Sequence, residues 1–138
     1  MPELVLFGIS FLIISVLGAA HLYLTFFTDR FHSSQETVEA MMKSVPKLTK
    51  QTTVWKAWVG FNASHSIGAI FFGFVNIYLL INYPQILREA IGIHLMNIFF
   101  FLSFIILAKF YWFKTPLNGL KISFTAYIVA LLVINFSL

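Results

Sequence analysis

Four apolar runs constrain this chain more than anything else in it. Each is long enough to cross about 30 Å of hydrocarbon, a distance that takes about 20 helical residues. They cover residues 4–27, 55–81, 86–113 and 117–136. Only 10% of the 138 residues are charged and 59% are apolar, whereas soluble domains carry about 25% charged residues. Too little polar surface remains to face water, so the expected class is all-α integral membrane. The 17 phenylalanines agree with this, because large apolar rings face lipid without penalty. A chain of this length accommodates one domain, and 1–138 is read as a single membrane domain. Short connections make neighbouring helices antiparallel, so the expected architecture is an antiparallel four-transmembrane-helix bundle. The first run is read as a retained span: Met1-Pro2-Glu3 has no basic residue, and the run exceeds the apolar region of a signal peptide.

Two of the connections are short. Asn82-Tyr83-Pro84 reads as a tight turn, and Lys114-Thr115-Pro116 places a proline where the first turn of a helix accepts one. The third connection, 29–53, is long. There Ser33-x-x-Glu36 reads as a capping box, and Val38, Met41, Met42 and Val45 recur at i, i+3, i+4, i+7, opposite Glu36, Glu39, Lys43 and Lys47. This pattern predicts an amphipathic helix at the membrane surface, ending near Pro46; an ordinary solvated loop helix fits it equally well. With alternating spans, Arg30, Lys43, Lys47, Lys50, Lys56, Lys109, Lys114 and Lys121 fall on one side and Arg88 alone on the other. Basic residues gather on the cytoplasmic side, so the long loop is expected in the cytoplasm and both termini outside. Trp55, Trp58, Tyr111, Trp112 and Phe113 then form an aromatic belt at the cytoplasmic interface. The basic patch is expected to meet anionic lipid headgroups; nucleic acid is a poor partner for a chain with no soluble domain. There is no cysteine, which excludes thiol chemistry, disulfides, iron–sulfur clusters and thiolate haem and leaves the redox compartment unread.

Polar residues inside the spans carry what functional information there is, since polar groups in hydrocarbon usually face a partner, a cavity or a ligand. On the second span Trp58, Asn62, His65, Ala69, Phe72 and Asn76 share one face. A separate stripe, Gly60, Ser64 and Gly68, is of the small-xxx-small type that lets another helix approach closely. His21 lies about 10 Å inside the cytoplasmic end of the first span, and His65 about 10 to 16 Å inside the same end of the second, at about 1.5 Å per residue. The two imidazoles therefore reach similar depths. His94 and Asn97 share a face of the third span, with His94 in a different layer, and the fourth span offers Thr125 or Tyr127.

Three readings compete for these groups. They hydrogen-bond across helices and lock the bundle, with bonds worth about 0.6 to 2 kcal/mol each. Alternatively Asn62, His65, His21 and Asn97, with Ser66 beside them and Trp58 at the mouth, line a cytoplasm-facing site for a small amphipathic ligand or lipid. In the third reading His21 and His65, with His94 as a further candidate, ligate haem or a metal, Gly18 and Gly68 making room for a porphyrin; no carboxylate within a span supports the imidazoles. Catalysis has less support. Ser64 and Ser66 are too close in sequence to His65 to face it on a helix, and no acid stands nearby. The small-residue stripe and the Phe-rich third span also fit a non-catalytic homo-oligomer or a subunit of a larger membrane complex.

The segment Trp55-Lys56-Ala57-Trp58-Val59-Gly60-Phe61-Asn62-Ala63-Ser64-His65-Ser66-Ile67-Gly68, with Gly18-Ala19-Ala20-His21 before it and Ala108-Lys109-Phe110-Tyr111-Trp112-Phe113 after it, resembles an uncharacterised family of small bacterial four-span membrane proteins. The likeness extends over the whole chain, and its core is Trp-x-x-Trp-x-Gly-Phe-Asn-x-Ser-His-Ser-x-Gly. The resemblance implies a bacterial inner membrane and no particular activity. The Arg and Glu pattern of the trimeric glutathione-using four-span enzymes is absent, as are the cysteines of the quinone-linked thiol oxidases.

Overall fold

The structure is a computed structural model that describes residues 1–136. Its elements are α1 (Pro2–Phe27), α2 (Gln35–Lys43), α3 (Val54–Asn82), α4 (Ile86–Glu89), α5 (Ile91–Tyr111) and α6 (Lys114–Phe136), with no strand among the described residues. Helices α1, α3, α5 and α6 are long and apolar enough to cross a membrane. Large apolar side chains such as Leu12, Phe61, Phe71, Phe74, Phe99 and Ile106 stand exposed along them. A water-soluble domain rarely shows apolar surface on that scale.

Apolar helices tolerate their polar residues by local bonding. Ser15 donates to the Phe11 carbonyl, Thr25 to His21, Ser66 to Asn62 and Asn76 to Phe72, each one turn back at 2.8 to 2.9 Å. The side chain reuses its own helix's carbonyl, so no polar atom is left bare in an apolar setting. Among the described residues no buried side-chain nitrogen or oxygen lacks a partner.

The contacts divide the described residues into two compact units, one of residues 1–17 and 70–136, the other of residues 18–69. In the first unit the helices pair antiparallel, as the falling register numbers show. Gly8 lies against Leu80 while Gly73 lies against Phe11 and Ser15. Asn76 meets Asn97, and Phe72 stacks on Phe100 at 3.7 Å. His94 meets Tyr127 whereas Phe101 meets Phe124. The core holds Phe7, Phe11, Ile14, Phe101, Leu120 and Tyr127. Gly73 permits the closest approach: a Cβ there would sit 2.9 Å from the Phe11 carbonyl oxygen and 3.2 Å from the Ser15 Cβ. In the second unit α2 follows the end of α1, and the Val54 N–H donates to the Ser44 carbonyl at 2.9 Å. That bond closes the connecting loop onto the start of α3.

Four local expectations are corrected. The helix of the long loop is capped by Ser34, whose side chain accepts from the Thr37 N–H, so the cap lies one residue after Ser33. That helix ends at Lys43, with Ser44 as its C-cap, short of Pro46. The third run is not one helix over 86–113. It breaks at Ala90, whose ψ of 90° separates α4 from α5. No helix breaker marks the site; instead Leu87 is fully buried, and Arg88 donates to the Glu3 carboxylate at 2.8 Å. Those contacts fix α4 in a direction that α5 does not continue. Finally, the link between α5 and α6 is Trp112–Phe113, and Lys114-Thr115-Pro116 forms the first turn of α6, where the proline belongs.

Candidate functional site

Each unit contains a polar cluster with histidine in it, and the two clusters differ in their partners. In the first unit Asn97 donates through Nδ2 to Asn76 Oδ1 at 2.8 Å and to the Tyr127 hydroxyl at 3.3 Å. The Tyr127 hydroxyl and His94 Nδ1 are 2.7 Å apart. The Asn97 amide supplies a hydrogen to that hydroxyl, which leaves the phenol proton available to His94 Nδ1. A second pair crosses from α1 to α6. Ser123 donates to the Ser10 carbonyl at 2.7 Å, and the two hydroxyl oxygens are 3.1 Å apart. Ser123 has one proton, so Ser10 is the donor in the hydroxyl pair. These groups are deeply buried: Asn76 and Asn97 are each 4% exposed, while Tyr127, Ser10 and Ser123 show no exposed surface. Phe7, Phe11 and Phe101 surround Tyr127 with ring centroids 5.1 to 5.9 Å away.

The second unit brings together His21, Asn62 and His65. Asn62 Nδ2 donates to the Trp58 carbonyl at 2.9 Å, which turns its Oδ1 toward His21 Nε2 at 3.0 Å. An amide oxygen only accepts, so Nε2 of His21 carries a proton and donates to it. The His65 ring meets His21 edge to face at 5.4 Å, and Phe31, from the turn after α1, covers His21 at 4.6 Å. Nearby along α3, Trp58 stacks on Trp55 at 5.3 Å, and His32 meets Trp55 edge to face at 4.9 Å. His21, Asn62, His65, Trp55 and Trp58 are all half-buried. The shared depth expected of His21 and His65 is thus realised as a ring contact.

The remaining sequence candidates fall as follows. Ser66 is fully buried and bonded to the Asn62 carbonyl, so its hydroxyl supports the helix carrying the site. Asn97 belongs to the buried network of the first unit with His94, and of the two fourth-span candidates Tyr127 joins that network while Thr125 is exposed. Among the described residues no group of three or more His, Asp or Glu side chains is arranged to hold a metal ion. The His21 and His65 rings touch each other, and Nε2 of His21 is engaged by Asn62. A porphyrin does not fit between two imidazoles already in contact, so the pair as it stands is not an open axial pair. Sequence reasoning passed over Phe31, which folds back from the turn onto His21, His32, whose distance in sequence from Trp55 hides their contact, and Glu3, which pairs with Arg88 across 85 residues.

Comparison with family models, with curated proteins and with solved structures finds no match to this chain.

Proposed function

We propose that this is a multi-pass membrane protein whose His21, Asn62 and His65, with Trp58 at the mouth, bind a small amphipathic molecule or lipid. The observation that carries the reading is the contrast between the two clusters. In the first cluster Asn76, Asn97 and Tyr127 are out of reach, and of its members His94 alone is half-buried. The imidazoles of His21 and His65 are half-buried, with the Phe31 ring over His21 and the stacked Trp55 and Trp58 rings further along α3. Apolar walls with a few polar groups are the usual makeup of a small-molecule site. Imidazole nitrogens suit a hydroxyl, carbonyl or headgroup, and aromatic rings suit a flat or acyl body. The asymmetry of basic residues supports a cytoplasmic long loop with both termini outside, and the motif spanning 55–68 supports a bacterial inner membrane.

The test is mass spectrometry of the lipids and small molecules that accompany the full-length protein through purification in mild detergent. Replacing Asn62 and His65 by leucine is expected to remove one retained species. Tyr127→Phe, in the buried network of the first unit, is expected to leave it in place. An unchanged complement in the double variant of a folded protein overturns the reading and leaves these groups a purely structural role.

A second reading, association with another copy or a larger membrane complex, is favoured by one observation. The small-residue stripe on α3 is unused within the chain: a Cβ at Gly60 or Gly68 would meet nothing within 4 Å, and Ser64 is exposed.

A further inference from the structure

The segment from α2 to the start of α3 has surface that the chain does not cover. Helix α2 has no buried residue. Met42 is 48% exposed, Val45 51% and Leu48 95%. Val38 and Met41, on the same face as Met42, are half-buried. Lysines 43, 47, 50 and 56 are exposed around this apolar surface, and no carboxylate occurs between Lys43 and Lys56. Among the described residues the ion pairs are made by Glu3 alone, so these lysines have no carboxylate partner.

We propose that residues 42–50 dock on an anionic lipid surface, with Leu48, Val45 and Met42 entering the headgroup–acyl boundary and Lys43, Lys47 and Lys50 on the lipid phosphates. Three observations favour lipid over another protein or water. The charge is complementary to an anionic leaflet, and basic residues flanking apolar ones are the pattern of surface-bound segments. Both ends of the loop are tied to helices long enough to span, α1 and α3, so a membrane surface lies within reach at high effective concentration. The Trp55–Trp58 stack at the start of α3 provides the amphipathic rings that favour the same interface. A lone leucine at full exposure is otherwise unexplained in a loop whose helix is properly capped.

This inference rests on the membrane reading of the four helices, and the experiment separates the two. The chain has no cysteine, so Leu48→Cys in the full-length protein accepts a single environment-sensitive nitrobenzoxadiazole label. Glu39→Cys places the same label on α2 itself, off the Val38 and Met41 side of the helix and outside residues 42–50, as a control. The protein is reconstituted in vesicles of phosphatidylcholine alone or of equimolar phosphatidylcholine and phosphatidylglycerol. Flotation with carbonate-washed vesicles tests membrane insertion by itself. In the anionic vesicles the label at position 48 is expected to shift to the blue and to be quenched by shallow spin-labelled lipid, while the label at 39 remains in water. Replacing Lys43, Lys47 and Lys50 together by glutamine is expected to abolish that quenching, as is high salt, which shortens the Debye length to about 3 Å at 1 M. Every substituted position is exposed, so folding is not at stake. A label at 48 that stays in water in anionic vesicles overturns the proposal even when the protein floats. So does one that is shielded from water but unquenched by lipid, which would mark a protein contact instead.

Discussion

At the scale of single residues, Tyr127 illustrates how a polar group is kept inside an apolar unit. Its hydroxyl serves two partners, Asn97 and His94, on one neighbouring helix. Tyr127→Phe keeps the ring packing and leaves both partners short of a bond. An unsatisfied buried group costs about 1 to 3 kcal/mol in water-soluble proteins, but interhelical bonds in membranes average nearer 0.6 kcal/mol. The membrane value governs if the helices span, because the alternative state also finds partners. A loss of about 1 kcal/mol is therefore expected, read as a lowered unfolding midpoint in detergent. No loss would mean that His94 and Asn97 find new partners when the hydroxyl is removed. Much of this was readable in advance: the shared face of His94 and Asn97 follows from helical spacing, and Tyr127 was one of two candidates on the fourth span. The sequence had no means to prefer it over Thr125.

At the scale of helices, α3 shows that the same residue type takes two roles according to what lies opposite. A methyl group added at Gly73 runs into the Phe11 carbonyl oxygen at 2.9 Å and into the Ser15 side chain. Backbone does not yield, so α1 and α3 must part there. Gly73→Ala is expected to destabilise by about 1 to 3 kcal/mol, the usual range for overpacking. Gly60→Ala and Gly68→Ala meet nothing within 4 Å and are expected to leave the monomer's unfolding midpoint unchanged or slightly raised, since alanine favours helix over glycine. Thermal unfolding of the three variants side by side checks both halves. Reduced cross-linking of the protein in native membranes by bulkier residues at 60 and 68 would support association through that stripe. The periodicity of the sequence singled out Gly60, Ser64 and Gly68 as the packing stripe. Among the described residues, the glycines in close packing are Gly73, against the Phe11 backbone and Ser15, and Gly119, where a Cβ would sit 2.8 Å from the Leu17 side chain.

At the scale of the whole chain, charge sets the expected topology. Exposed Gln35 follows α1, and exposed Gln85 lies in the turn between α3 and α4. In the cysteine-free background, Gln85→Cys is expected to react with a membrane-impermeant maleimide added outside intact cells stripped of their outer layers. Gln35→Cys is expected to react only after permeabilisation. The reverse pattern inverts the orientation, and reaction of both from one side removes the alternating-span reading.

The sequence by itself determined the all-helical class and the four long helices apolar enough to cross a membrane. Long apolar runs can satisfy their backbone groups in lipid only as helices, so four helices of spanning length follow from hydropathy alone. The alignment of Trp58, Asn62 and His65 with the depth of His21 follows from a rise of about 1.5 Å per residue. Tertiary structure decided the rest. The break at Ala90 coincides with a fully buried Leu87 and with the bond from Arg88 to Glu3, 85 residues away, neither of which the sequence pattern announces. Asn97 was grouped with His21 and His65 because polarity and face are visible in a sequence, whereas the identity of the facing helix is not; its amide is committed to Asn76 and Tyr127. Whether a polar side chain bonds its own helix, its neighbour or a ligand depends on what stands within about 3 Å of it, and that is a property of packing alone.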